Sequence, residues 1–287
     1  MKLLNTNLPH ETTHAKKLKA VVLDWAGTTV DFGSLAPVRA LQSVFGAAGV
    51  QLSDDELRRD MGLPKKEHIR RIFSLPTLRD AWEARYGRAP IDTDNDEMYR
   101  KFIPEQLSCL GEYSDLIPGA LECAKRLRQR GLKIGSTTGY TRAMLDLLLQ
   151  KSAKAGYEPD CSFTPEDVGA GRPGPFMIYA VAICVQVYPL AAIAKIGDTP
   201  ADIEEGLNAG TWCIGVAGTG NGIGLSREEF NALPATERQS RLTDARAELE
   251  EAGAHYVIDT LAELDAVLDD VDARLLSAKG CSHASVK

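Results

Sequence analysis

The sequence predicts an α/β fold in which a parallel sheet carries a separate α-helical cap domain, inserted after the first strand. Two observations predict the sheet: short apolar runs recur along the chain, and helical patterns separate them. A third observation predicts the insertion, because one long segment contains several helical patterns and no convincing strand.

Five short apolar runs are the predicted strands. Runs this short and this apolar are typical of strands buried on both faces, as in a Rossmann-like parallel sheet. Ligands of such sheets bind beyond the carboxyl ends of the strands, so the residues that follow each run are the candidate site residues. The runs are Ala20–Leu23, Leu132–Ser136, Ala192–Ile196, Trp212–Val216 and His255–Ile258.

The segment between the first two runs predicts the cap. A crossover between parallel strands needs only one helix, and this segment has five helical patterns. We therefore assign residues 34–114 to a helical cap and residues 1–33 and 115–287 to the core, with hinges at 33–34 and 111–114. The helical patterns are Pro37–Ala48, one that starts at the capping residue Ser53, Pro64–Phe73, Leu75–Tyr86 and Asp92–Cys109.

Composition narrows the function. The 287-residue chain has a net charge of −7, whereas a nucleic-acid surface needs clustered basic residues. No apolar run approaches the roughly 20 residues that a membrane helix needs. The first eighteen residues lack the apolar core of a signal peptide, and the six cysteines show no metal-binding spacing. We expect a cytoplasmic protein that binds anions through local cations or a metal.

The glycine-rich segment Gly218–Gly224 follows a late predicted strand. It does not fit the G-x-G-x-x-G pattern, so a dinucleotide site is not expected there.

The first predicted strand leads into Asp24-Trp25-Ala26-Gly27-Thr28-Thr29-Val30-Asp31. Asp, Gly and Thr all favour turns, so a plain turn explains this segment equally well when it is taken alone. The functional interpretation of this segment depends on further polar segments that follow later predicted strands. One is Ser136-Thr137-Thr138-Gly139-Tyr140, where Thr138 and the amides of a helix start suit a phosphoryl group.

Two more segments complete the set. Arg172, between Gly171 and Pro173, is a candidate phosphate-binding cation, although a lone arginine is usually a solvated surface residue. Gly197-Asp198-Thr199-Pro200-Ala201-Asp202 directly follows the run Ala192–Ile196. Thr199, Pro200 and Asp202 fit an ordinary helix start, but Asp198 does not take part in it. Asp198 and Asp24 together offer two hard oxygen ligands that suit Mg²⁺.

In this order the four segments resemble the haloacid-dehalogenase superfamily of phosphohydrolases. The resemblance implies that Asp24 is the nucleophile and forms an aspartyl-phosphate. It also implies Mg²⁺ bound by the side chains of Asp24 and Asp198 and by the carbonyl of Ala26, with Asp202 close by. Phosphomonoesterases of the superfamily usually have a second aspartate at the position of Ala26. Alanine cannot protonate a leaving alkoxide, so a different leaving-group chemistry is expected.

The predicted cap supplies that chemistry. Met61-Gly62-Leu63-Pro64-Lys65-Lys66-Glu67-His68 resembles the cap motif of the phosphonoacetaldehyde hydrolases, and the likeness extends over nearly the whole chain. It implies that Lys65 forms an imine with the substrate aldehyde, that arginine replaces the usual lysine at Arg172, and that the enzyme is a homodimer. Tyr140, Met61 and His68 are then expected pocket residues.

The imine explains how the reaction proceeds without an acid at Ala26. Cleaving a phosphorus–carbon bond leaves a carbanion, and a protonated imine accepts that electron pair as an enamine. Lys65 must first be neutral, yet at a pKa of about 10.4 only about 1 in 2,500 molecules is neutral at pH 7. Burial under the closed cap must supply most of the required shift, with a smaller contribution from the first helical turn. His68 is three residues away, on the same helix face, and is a candidate proton shuttle.

Two rival functions remain at this stage. One is an ordinary phosphomonoesterase or phosphomutase of the same superfamily, which Ala26 disfavours. The other is a non-catalytic binding protein, which the joint presence of Asp24, Lys65 and Asp198 disfavours.

Overall fold

The computed structural model describes residues 3–5 and 15–281, with side chains to residue 277. Its centre is a six-stranded, all-parallel sheet in the order β3-β2-β1-β4-β5-β6. The strands are β1 Ala20–Leu23, β2 Lys133–Thr137, β3 Cys161–Phe163, β4 Ile193–Gly197, β5 Trp212–Val216 and β6 Tyr256–Ile258.

All five predicted runs form strands, each within one residue of its predicted bounds. The sequence analysis missed β3, which has three half-buried residues, one of them the polar Ser162. This strand pairs only with β2 at the edge of the sheet, so it never needed the apolar run that marks a strand buried on both faces.

The part of the chain that the structure describes also contains thirteen α-helices. Five lie between β1 and β2: α1 Leu35–Ala47, α2 Asp54–Arg58, α3 Lys65–Phe73, α4 Pro76–Tyr86 and α5 Asp92–Leu110. The others are α6 Ala120–Gln129, α7 Arg142–Lys154, α8 Pro165–Val168, α9 Phe176–Cys184, α10 Pro200–Ala209, α11 Arg227–Ala232, α12 Ala235–Glu251 and α13 Leu264–Cys281.

The five predicted helices of the insertion are confirmed, with bounds within two residues of those expected. They pack on one another, α1 chiefly against α5, around edge-to-face aromatic rings. The ring centroids of Phe45 and Phe73 lie 5.6 Å apart, and those of Phe73 and Trp82 lie 5.0 Å apart. Such pairs add about 0.5–1.5 kcal/mol each beyond the area they bury. These rings belong to the same hydrophobic cluster as the buried residues of the strands, so the apolar core of the insertion is continuous with that of the sheet.

A tight connection leads from β1 into this insertion. The Asp31 carboxylate accepts hydrogen bonds from the backbone N–H groups of Leu35 and Ala36, each at 3.0 Å, and so caps α1. Gly33 has φ +81°, and a Cβ there would lie 2.1 Å from the carbonyl oxygen of Leu225. Glycine is required at this position both for its conformation and for the close approach of the chain.

Among the described residues, no helix has both the length and the apolar character that a membrane span needs. The predicted lack of a signal-peptide core concerns residues 1–18, and most of these lie outside the described residues.

Candidate active site

Three carboxylates meet at the carboxyl edge of the sheet. Asp24 follows β1 and Asp198 follows β4, and these strands are neighbours in the centre of the sheet. Asp202 joins them from the first turn of α10, where it forms the predicted capping box with Thr199. One oxygen from each carboxylate lies within 4.8 Å of the other two, and all three residues are buried. Strand order alone explains why residues 174 positions apart in the chain come together.

Close backbone packing fixes the position of Asp198. A Cβ on Gly27 or on Gly220 would lie 2.1 or 2.3 Å from atoms of the Asp198 side chain. The backbone N–H of Asn221 donates to Asp198 Oδ2 at 2.7 Å, and the Thr28 hydroxyl donates to Oδ1 at 3.3 Å. Asp198 is therefore held between two glycines, which leave its side chain room to reach the site.

Arg172 is the principal cation of the core site and is almost wholly buried. Its Nη2 lies 2.6 Å from Asp24 Oδ1 and 2.9 Å from Asp202 Oδ1, and it also donates to the carbonyl of Thr137 at 2.9 Å. Its Nε donates to Glu205 Oε2 at 2.9 Å. A planar guanidinium can make these divergent contacts at once, whereas a lysine ammonium cannot.

The sequence analysis missed two charged residues of this network. Lys195 lies within β4, with Nζ 2.7 Å from Asp202 Oδ1 and 3.0 Å from the hydroxyl oxygen of Thr137. Glu205 accepts from Arg172 and from the Thr137 hydroxyl. Both are fully buried. The sequence did contain a sign of Lys195, because a lysine inside an apolar central strand needs a buried anionic partner.

The charge balance of the core site fits a divalent cation. Four buried carboxylates face two buried cations, which leaves an excess of two negative charges. Burial, and then the neighbouring carboxylates, raise the pKa of Asp24 to about 6 and that of Asp198 well above its usual range. The six groups are Asp24, Asp198, Asp202, Glu205, Arg172 and Lys195.

The carboxylates differ in how free they are to bind such a cation. Asp202 is engaged by protein groups, since Oδ1 pairs with Arg172 and Lys195 and Oδ2 accepts from the Thr199 hydroxyl at 2.6 Å. Burial opposes its ionisation, but these two cations hold the pKa of Asp202 below its usual value. Asp24 and Asp198 instead line the cavity described below, so they are the better candidates for direct ligands.

The insertion contributes a lysine with very different surroundings. Lys65 is the first residue of α3, and only 5% of it is exposed. Its Nζ lies 3.6 Å from Met61 Sδ and 5.3 Å from the centroid of the Tyr140 ring. Among the described residues no carboxylate lies within 4.0 Å of it. Burial lowers the pKa of Lys65 to about 8, so a useful fraction of the amine is neutral near physiological pH.

His68 lies below Lys65 on the same helix and is fully buried. Its Nε2 is 2.9 Å from the carbonyl oxygen of Leu57, and a carbonyl only accepts, so Nε2 carries the proton. Its Nδ1 has no hydrogen-bond partner among the described residues. Burial, and then the charge of Lys65, lower the pKa of His68 to about 3. The imidazole is therefore neutral and has a free lone pair.

One small cavity joins the two halves of the site. Eight of the ten residues expected at the site line it, whereas His68 and Asp202 do not; Asp202 contacts the lining residues Arg172 and Thr199. The lining also includes Ser34, Pro37, Gly62, Gly139 and Thr199, which the sequence analysis did not select. The eight expected residues are Asp24, Ala26, Met61, Lys65, Thr138, Tyr140, Arg172 and Asp198.

Two glycines let the insertion and the core close over this cavity. A Cβ on Gly139 would lie 2.7 Å from the carbonyl oxygens of both Gly62 and Leu63. Gly62 has φ +91°, and a Cβ there would lie 2.3 Å from the Thr199 hydroxyl. The Met61–Lys65 segment thus rests directly on the loops that follow β2 and β4.

This site and fold have close counterparts among known proteins. Residues 18–210 match the family model of haloacid dehalogenase-like hydrolases. The chain is 44% identical over 255 residues to the phosphonoacetaldehyde hydrolase of Syntrophobacter fumaroxidans, covering 89% of this chain and 92% of that one. It is 42% identical over 256 residues to the enzyme of the same name from Bacillus cytotoxicus, covering 89% and 97%. It matches the crystal structure of a phosphonoacetaldehyde hydrolase-like protein from Oleispira antarctica with a TM-score of 0.89 and 41% identity, covering 91% and 94%.

Proposed function

This chain belongs to the haloacid dehalogenase-like hydrolases and, within them, to the phosphonoacetaldehyde hydrolases, and we propose how its residues cleave the phosphorus–carbon bond. The products are acetaldehyde and phosphate. The observation that carries the proposal is one cavity with a buried, weakly basic amine on one wall and a buried carboxylate on the other, beside an alanine where a general acid would stand.

Lys65 prepares the carbon side of the bond. Its neutral amine attacks the aldehyde carbon. The carbonyl oxygen takes up one proton from the amine and one from solvent and leaves as water, and a protonated imine remains on Lys65. When the phosphorus–carbon bond breaks, its electron pair moves into this imine to give an enamine. The burial of Lys65 supports this role, because removal from water favours a neutral amine over an ammonium ion.

His68 assists the proton transfers of the imine. Its Nδ1 lone pair accepts a proton from the attacking amine transiently and returns it to the departing oxygen. A pKa of about 3 means that the imidazole does not retain this proton. The bond between Nε2 and the carbonyl of Leu57 holds the required tautomer.

Asp24 receives the phosphoryl group. Its carboxylate attacks phosphorus opposite the bond to carbon and forms an aspartyl-phosphate, which water then hydrolyses. Arg172 orients the carboxylate through the 2.6 Å contact with Oδ1, and with Thr138 it holds the phosphoryl oxygens. Water also hydrolyses the imine that remains on Lys65 after the enamine carbon is protonated.

A divalent cation, which we propose to be Mg²⁺, would be held by the side chains of Asp24 and Asp198 and by the carbonyl of Ala26, with Asp202 behind them. When bound, it neutralises the phosphoryl oxygens and lets an anionic carboxylate approach them. The excess of two negative charges among the buried groups supports this assignment, as does the oxygen-only ligand set.

Residues 34–114 form, in this proposal, a cap that opens and closes over residues 1–33 and 115–287. Lys65 and Asp24 must act on one small phosphonate, yet they belong to different parts of the chain. The cavity between them has little room for entry, so hinges at 33–34 and 111–114 must flex.

The remaining proposals concern assembly and location. We propose a homodimer that acts in the cytoplasm and binds neither nucleic acid nor membrane. Among the described residues five cysteines are free, which supports a reducing compartment. Light scattering on the purified protein tests the dimer, since a monomeric mass would contradict it.

Turnover of phosphonoacetaldehyde with and without Mg²⁺ tests the function. We expect equal release of acetaldehyde and phosphate, and its loss when EDTA removes the cation. A panel of phosphate monoesters and a sugar phosphate tests the phosphomonoesterase and phosphomutase alternative, which Ala26 disfavours. Faster turnover of any of these than of phosphonoacetaldehyde would overturn the assignment, and no turnover at all would favour a binding protein.

A further inference from the structure

Arg58 lies outside the catalytic cavity, yet its side chain makes several hydrogen bonds between the insertion and the core. It ends the short helix α2 and is only 7% exposed. Its Nη1 donates to the carbonyl of Gly33 at 2.8 Å, to that of Ser34 at 3.3 Å and to Asn221 Oδ1 at 3.2 Å. Its Nη2 donates to the carbonyl of Gly224 at 3.2 Å. One cap side chain therefore holds both the first hinge and the glycine-rich segment after β5.

The glycine-rich segment Gly218–Gly224 is shaped to receive this side chain. Gly224 has φ +66°, and a Cβ there would lie 2.9 Å from Arg58 Nε. Asn221 returns the contact, because its Nδ2 donates to the backbone carbonyl of Arg58 at 3.3 Å. The segment also meets the hinge directly, since the Gly33 N–H donates to the carbonyl of Thr219 at 2.8 Å.

Asn221 links this contact to the metal-binding carboxylates. Its side chain is bound to Arg58 at both ends, and its backbone N–H donates to Asp198 Oδ2 at 2.7 Å. A displacement of the Asn221 side chain would therefore move the amide that orients Asp198. Only two residues, Arg58 and Asn221, therefore connect the cap to the carboxylate of Asp198.

We propose that Arg58 is a positioning residue that docks the closed cap on Gly218–Gly224 and, through Asn221, orients Asp198 for the cation. The inference rests on the cap closure of the proposed function. When the cap opens, Arg58 leaves with it and Asn221 loses both side-chain partners. By linkage, cation binding at Asp198 favours the closed cap to the same extent that closure favours cation binding.

The test measures Mg²⁺ binding by calorimetry, with Mg²⁺ alone as the probe. Arg58→Met keeps the aliphatic stem and removes every donor, whereas Asn221→Ala removes the side chain and keeps the backbone N–H that reaches Asp198. We expect each variant to weaken Mg²⁺ binding about 5- to 10-fold, in the range of ordinary coupling between sites. The double variant should be no weaker than either single one, because both changes break the same link.

Arg59→Met is the matched control. Arg59 is the next residue of the chain and is exposed, so its loss should leave Mg²⁺ affinity unchanged. Small-angle scattering should show a larger radius of gyration for Arg58→Met than for Arg59→Met. If Arg58→Met fails to fold, Asn221→Ala and Arg58→Lys carry the comparison, and we expect the lysine variant to lose part of the affinity.

Unchanged Mg²⁺ affinity in Asn221→Ala, or additive losses in the double variant, would overturn the inference. These measurements need no turnover. A protein that binds Mg²⁺ as described but does not cleave phosphonoacetaldehyde would refute the proposed function and leave the role of Arg58 standing.

Discussion

The core half of the site and the cap half bury their lysines in opposite ways. In the core, Lys195 Nζ lies 2.7 Å from Asp202, inside a network of ion pairs. In the cap, Lys65 faces the sulfur of Met61 and the ring of Tyr140, and its pKa falls to about 8. Both side chains are at least 95% buried. Lys195 has carboxylate partners that Lys65 lacks, and burial without such partners lowers the pKa of Lys65 and favours a nucleophilic amine.

This division follows the two ends of the substrate. Phosphoryl transfer develops negative charge on oxygen, so that end needs fixed cations and a metal. Imine formation needs a neutral amine, so that end needs apolar walls. The two environments line opposite sides of one cavity.

The largest expected effect comes from breaking the core half alone. Asp24→Asn should reduce turnover by at least about 10⁴-fold, because an amide is a poor nucleophile and a weaker metal ligand. Steady-state kinetics on a preparation verified by mass spectrometry measure this. Borohydride should still trap an imine on Lys65, since the cap half is intact. Asp80→Asn, at an exposed carboxylate of α4, is the control, and substantial activity in Asp24→Asn would remove Asp24 from its role.

Breaking the cap half alone gives the next largest effect. Lys65→Arg keeps a positive charge but should lose at least about 10³-fold in activity, because guanidinium does not deprotonate to attack a carbonyl. It should still bind Mg²⁺. In the unsubstituted enzyme, borohydride added with phosphonoacetaldehyde should inactivate irreversibly and label Lys65.

Lys66 is the matched control for this experiment. It is the adjacent residue, its side chain is 57% exposed, and its Nζ lies 2.7 Å from Asp96. Lys66→Arg should keep nearly full activity, and peptide mapping should find no adduct there. A label on Lys66 alone, or full activity after treatment with borohydride and substrate, would exclude the imine mechanism.

Much of this division could be predicted from the sequence. The residues after β1 and β4 were identifiable because apolar runs mark the central strands and the sheet brings their ends together. Lys65 was identifiable by its resemblance to a cap motif. Its pairing with Met61 and Tyr140 was not, because it depends on how α3 packs on the loop after β2.

The missed residues share one physical property. Lys195, Glu205 and Arg58 are buried polar groups that each have at least one partner far away in the chain, as in the pairs Lys195–Thr137, Glu205–Arg172 and Arg58–Asn221. Periodicity and local motifs describe neighbours in sequence, so they do not reveal such contacts. The edge strand β3 was missed for a related reason, because its burial depends on β2 and not on its own composition.

The pH dependence of kcat/KM distinguishes the two halves of the site by a smaller effect. Neutral Lys65 is the reactive form, and its pKa is about 8, so kcat/KM should rise about tenfold per pH unit up to pH 8 and then level off. Burial raises the pKa of Asp24 to about 6, so the slope should steepen below pH 6 when Asp24 also loses its reactive, ionised form. The rate of borohydride inactivation should follow Lys65 alone. A flat profile between pH 6.5 and 8 would contradict a weakly basic Lys65.

The smallest expected effect concerns stability, and it has opposite signs in the two halves. The folded-state pKa of Lys65 lies below the ordinary value of 10.5, so the unfolded chain binds more protons between pH 8 and 10.5, and stability rises with pH across that window. Below pH 8 the full cost of burying the ammonium ion is present. Lys65→Met should therefore stabilise the fold at pH 7 by about 1–3 kcal/mol, because one pKa unit corresponds to about 1.4 kcal/mol.

Lys195→Met should instead destabilise it by about 3–5 kcal/mol, because Asp202 and Glu205 lose a buried partner. Chemical denaturation of the two variants at pH 7 measures both signs, and Lys66→Met should change little. Destabilisation of both buried-lysine variants would mean that Lys65, like Lys195, is held as a charged group.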